Sequence, residues 1–171
     1  MKITQSLVLF CAAAALVHAM PCPGSSAAVH ASCQVSSTVA SSCSDAMAEV
    51  TARVNGQYGK WHDPHNNGTY TIDSTNGNTI NAHRKTGDGK YTDKMTFTFS
   101  DSSNGGCGVQ ACSESQVTSI SDFSTNYCNT RMLLCGAADG CKPVNGDAQY
   151  SESSVKPSFG ASHDASACLK V

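Results

Sequence analysis

The chain reads as an α+β, β-dominated fold: an antiparallel meander or sandwich with one N-terminal helix, stapled by disulfides. Three observations predict it. Nine cysteines follow an apolar leader, a single stripe of helical spacing comes next, and apolar–polar alternation between turn signals fills the middle of the chain.

The leader comes first. Lys2 precedes an apolar run from Leu7 to Val17, and Val17-His18-Ala19 supplies a small-residue cleavage site. The run is too short to cross a bilayer, so 1–19 reads as a removable signal peptide that takes Cys11 with it. Cleavage of 19 residues from 171 leaves 152, enough for one domain but hardly two. Charged residues make up 14% of the chain, against about 25% in an ordinary domain. The net charge of −2 becomes −3 without Lys2, which speaks against nucleic acid or an anionic membrane as partner. A secreted, extracellular monomer is expected.

The remaining thiols meet an oxidising compartment. Their odd number leaves one over. Cys22 is expected to be that one, because Pro21-Cys22-Pro23 lies in a segment without any period. Cys33, Cys43, Cys107, Cys112, Cys128, Cys135, Cys141 and Cys168 are then the disulfide cysteines, with 105 possible connectivities left open. A second Val29-His30-Ala31 suggests later processing just before Ser32, which would remove Cys22. The tightest spacing, Cys107 to Cys112, is wider than a Cys-x2-Cys zinc knuckle, so neither a metal nor another cofactor is expected.

In chain order, residues 20–42 read as a loose N-terminal arm and 43–171 as a single disulfide-rich domain. Cys43, Met47, Val50 and Val54 form one helical stripe, with Ser42 or Ser44 as cap and Asn55-Gly56 as stop. Asn66-Asn67-Gly68 and Thr75-Asn76-Gly77 read as hairpin turns, with alternating strands around Tyr70, Ile72, Ile80 and Ala82. The clearest strand carries Tyr91, Met95, Phe97 and Phe99 on one side and threonines with Lys94 on the other, and Asp93 interrupts its apolar face. One or two strands follow around Val109 and Val117. Residues 122–134 fit neither period, and the tail after Cys141 is polar and turn-rich.

Trp61-His62-Asp63-Pro64-His65 is the most conspicuous polar cluster, with His83-Arg84 on a neighbouring strand. Pro64 rules out a helical His-x2-His metal pair, so the cluster reads as a turn with solvated histidines. Trp61, His62, Asp63 and His65 then form a possible recognition surface. No catalytic residue is assigned. A serine hydrolase would need Gly-x-Ser-x-Gly, which is absent. Ribonuclease chemistry needs a base, an acid and an arginine. Glu49, Glu114, Arg53, Arg84, His62 and His83 supply those types in no recognisable order, and Glu49 with Arg53 reads as a solvated i,i+4 ion pair. A copper mono-oxygenase of the N-terminal-histidine kind does not match starts at Met20 or Ser32. Asn67-Gly68-Thr69 is an N-glycosylation acceptor. Tyr58, Trp61, Tyr70 and Tyr91 are the aromatics available to stack on sugar.

Two segments carry a resemblance: Trp61 to Tyr70, and Ser113 to Cys128, which reads Ser-Glu-Ser-Gln-Val-Thr-Ser-Ile-Ser-Asp-Phe-Ser-Thr-Asn-Tyr-Cys. With them, and in size, leader and cysteine density, the chain resembles a family of small cysteine-rich secreted proteins of fungi and oomycetes. Those proteins act as elicitors: plant cell-surface receptors recognise them, and defence or cell death follows. The resemblance implies a plant receptor as partner, the host apoplast as location, and no catalytic residues to transfer. The alternatives are a secreted hydrolase or ribonuclease, and a structural protein that binds cell-wall polysaccharide.

Overall fold

A computed structural model describes residues 22–103 and 105–170, so the leader expected over 1–19 lies outside the described residues. In chain order the elements are β1 (Ser32–Val39), α1 (Cys43–Asn55), β2 (Thr69–Asn76), β3 (Thr79–Lys85), β4 (Thr92–Asp101), β5 (Cys107–Ser115), α2 (Thr125–Arg131) and β6 (Tyr150–Pro157). The six strands form one antiparallel sheet in the order β2-β3-β4-β5-β1-β6. One face carries the core. The other is wet, with Thr96, Thr98, Asn81 and Ser36 half-buried and Lys94 and Gln110 exposed.

The helix and the meander form as their patterns dictate. Ser42 caps α1 by accepting the Asp45 N–H at 3.1 Å, and the Gly56 N–H closes the last turn on Ala52 and Arg53 carbonyls. Val50 and Val54 of the stripe are buried, while Cys43 bridges to Cys107 and staples the helix to β5. Gly77, at φ +56°, and Asn78 turn the chain between β2 and β3, where Asn76 pairs with Thr79.

Four expectations are corrected. The N-terminal arm is not loose: it supplies β1, between β5 and β6. Val35 and Val39 alternate there with Ser and Gln, a weak signal that two flanking strands complete through main-chain hydrogen bonds. Asn66-Asn67-Gly68 makes no hairpin but a 3-10 turn, because no strand precedes it to pair with β2; the Gly68 N–H closes instead on the His65 carbonyl. A single strand ends at Ser115, leaving Val117 in a loop, and the ambiguous 122–134 segment contains α2. The polar tail holds the edge strand β6, whose serines and glutamate hide its period.

The cysteine expectation is also overturned. Cys22 bridges to Cys112, Cys43 to Cys107, Cys128 to Cys168 and Cys135 to Cys141, while Cys33 is a buried free thiol. The cause is strand geometry. Cys33 lies on the packed face of β1, opposite Ser113, whereas Cys112 points to the outer face, where the 22–30 segment crosses. His30 and the Gly24 N–H both reach Glu114 on that face, at 2.7 Å and 2.6 Å. Processing before Ser32 would take Cys22 away and leave Cys112 without its bridge, so the free Cys33 argues against it. Burial pushes the Cys33 thiol up to about 12, which keeps it a thiol at neutral pH. Among the described residues, no helix is long and apolar enough to cross a membrane.

Candidate recognition site

The packed face is apolar through its middle. Ile80, Phe97, Ala111 and Val35 stand opposite one another across four strands, and Ala82 pairs with Met95 in the next row. One row further, the face becomes polar: Tyr70, Arg84, Asp93 and Ser115 are consecutive cross-strand partners, and all are buried.

Arg84 organises this end. Its guanidinium pairs with Asp63 at 2.7 Å, with both side chains fully buried, and also donates to the His65 carbonyl. Tyr70 Oη donates to the same Asp63 carboxylate at 3.1 Å, and the His65 N–H donates to its other oxygen at 2.9 Å. Burial opposes the Arg84 charge, but Tyr70 and Asp63 outweigh it and hold its basicity above the usual value. Gly68 makes room for it, since a Cβ there would overlap the guanidinium. His65 is likewise structural, with Nδ1 against the Ala167 carbonyl at 2.9 Å and burial lowering its pKa.

Helix α2 covers the rest of the row. Asn129 donates to Asp93 at 2.8 Å and to Ser113 at 2.9 Å, and Ser113 donates to Asn126 at 2.8 Å. Burial raises the Asp93 carboxyl above its ordinary range, against the hydrogen bonds of Ser115 and Asn129. Asp122 accepts the backbone N–H groups of Ser124, Asn126 and Ser162, which fixes the loop before the helix. Arg84 Nη1, Trp61 Nε1 and Asn129 Oδ1 are buried here without hydrogen-bond partners, so this end is held less completely than the core.

Above the polar row opens a cavity of ≈ 510 Å³. Asn67, Tyr91, Asp93, Ser115, Ser121 and Phe123 are among the residues that line it. Several of the large exposed apolar side chains lie on loops at the same end. Phe159 is 90% exposed, Phe123 78%, Ile120 63% and Val29 53%. Backbone contacts bring them together: the Ser119 N–H donates to the Val29 carbonyl, and the Asp122 N–H to that of Gly160. Apolar side chains grouped on adjoining loops differ from the singly scattered ones of an ordinary surface.

The surface expected from the sequence is therefore misplaced. Trp61, Asp63 and His65 are buried, and of that set only His62 is exposed. His83 pairs with Asp73 at 2.7 Å on the wet face and does not join His65. The hydrolytic residues do not converge either. Glu49 and Arg53 are a buried pair, not a solvated one. Arg53 donates to the Met132 and Cys135 carbonyls, while Glu49 accepts the N–H groups of 144–146. Glu114 holds the N-terminal segment. Of the aromatics considered for sugar, Trp61 and Tyr70 are core, and Tyr58 and Tyr91 are exposed. The sequence does carry a sign of the exposed apolar group, since Ser-Ile-Ser and Ser-Phe-Gly each set one large apolar residue in a polar loop with no period to bury it.

No family model, no curated protein and no solved structure matches the chain.

Proposed function

We propose that the protein is an apoplastic elicitor that acts by binding, recognised by a plant cell-surface receptor, as the sequence resemblance implies. The observation that carries this reading is the exposed cluster of Val29, Ile120, Phe123 and Phe159 on a domain tied by four bridges. Apolar side chains on a rigid scaffold suit a protein partner, since little ordering is required on binding. Disulfides that limit local opening suit survival among extracellular proteases. The buried Asp63, Arg84, Glu49 and Arg53 support a binding role too, because their hydrogen bonds go to the fold.

The test is infiltration of the purified, oxidised protein into leaves. Defence or cell death is expected with the wild-type protein, and loss of it with the folded double variant Ile120→Ser, Phe159→Ser. A response is expected to survive replacement of His62 and His83. No response to the wild-type protein, together with turnover of labelled RNA or wall polysaccharide, would replace this reading with a hydrolase.

A further inference from the structure

The cavity at the polar end borders an acceptor sequence for sugar attachment. Asn67-Gly68-Thr69 is an acceptor sequence, and Asn67 lies in the cavity wall. Asn67 is exposed, and among the described residues no hydrogen bond engages its side-chain amide. Its backbone is fixed: φ is +55° at Asn66 and +47° at Asn67, and the Gly87 N–H donates to the Asn66 carbonyl at 2.9 Å. Gly87 packs so closely that a Cβ on it would stand 2.9 Å from Asn67 Cβ. A group attached at Asn67 is thus excluded from the side where Gly87 packs.

We propose that Asn67 carries an N-linked glycan whose first N-acetylglucosamine seats in this cavity, between Tyr91 and Phe123. The proposal does not depend on the elicitor reading. The linkage forms between Asn67 Nδ2 and C1 of the sugar of a lipid-linked oligosaccharide donor. The C1–O bond to the donor's diphosphate breaks, the lipid diphosphate leaves with the bonding pair, and the displaced amide proton passes to solvent. The lining matches a neutral polyol. Tyr91 and Phe123 offer rings to the apolar face of the sugar, while Asp88 and the hydroxyls of Ser119 and Ser121 offer partners to its own hydroxyls and N-acetyl group. Tyr91 is 47% exposed, so a seated sugar would cover ring surface that the fold leaves wet. Asn at a left-handed position is explained by backbone conformation alone, and so the experiment must detect the sugar itself.

The full chain, with its leader, is secreted from a eukaryotic host, and its intact mass is taken before and after peptide-N-glycosidase treatment. Loss of one oligosaccharide, with Asn67 converted to Asp, is expected. The glycan is then trimmed to its single innermost N-acetylglucosamine. Nuclear Overhauser contacts are expected from the N-acetyl methyl group to the ring protons of Tyr91 or Phe123, and Tyr91→Ser is expected to weaken them. An unmodified Asn67 would overturn the proposal, and so would an attached sugar with no contact to either ring. Enzymatic removal is used in place of Asn67→Gln, because Gln strains the left-handed backbone and would blur the comparison.

Discussion

In the middle of the packed face, Ile80, Phe97 and Val35 are held by buried apolar area; two rows away, Tyr70, Arg84, Asp93 and Ser115 are held by partners. The two regions share the same strands, the same register and nearly the same burial. They differ in what a substitution removes. An apolar side chain that shrinks loses area and leaves a small void. A buried charge that loses its partner keeps the whole cost of its desolvation. The polar end is therefore the more brittle part of the sheet, and it is also where the loops carrying Ile120, Phe123 and Phe159 converge.

The sharpest way to break this comparison is to delete one buried carboxylate. Asp63→Ala should cost about 3–5 kcal/mol, since it strands Arg84 and frees Tyr70 Oη. Ile80→Val in the apolar row should cost only about 0.5–1.5 kcal/mol. Urea unfolding of both variants decides, and equal losses would mean the polar row is not held by its ion pair. Next in size are the cysteines. Cys22→Ser opens a loop of 90 residues and should cost about 2–4 kcal/mol, whereas Cys33→Ala removes one buried sulfur from the core and should cost about 1 kcal/mol. A reversed order in thermal unfolding would place the bridge on Cys33.

The smallest effect separates the two histidines. Glu114, followed by the Ala27 carbonyl, raises His30; burial, followed by weaker and partly opposing contacts, lowers His65. The signs are opposite. His30 contributes stability that is fully present below the ordinary histidine value of about 6.5 and fades as pH rises through its raised pKa. His65 is favoured neutral in the fold, so its contribution is present above about 6.5 and is lost as pH falls toward its lowered pKa. Titration of the imidazole proton shifts should give midpoints on opposite sides of the unfolded value, and His30 titrating below His65 would undo both assignments.

The apolar rows were legible because alternation through Tyr70–Phe99 follows from the pleat, and α1 was legible from its stripe and cap. The polar row was not. Asp93 stood out only as an interruption, since the partners that make it tolerable, Asn129 and Ser115, come from elements distant in sequence. Strands β1 and β6 escaped for a related reason: their place is set by pairing with strands distant in sequence, as Val35 pairs with Ala111, not by side chains of their own. The thiol assignment failed at the same level. Which cysteine is left over depends on which face of a strand it occupies, and Cys33 faces the core.

The most direct measurement is a non-reducing peptide map of the oxidised protein, with free thiols alkylated under denaturing conditions. Bridges Cys22–Cys112, Cys43–Cys107, Cys128–Cys168 and Cys135–Cys141 are predicted, with the alkyl label on Cys33. A product beginning at Ser32 with Cys33 in a bridge would contradict the way this sheet is stapled.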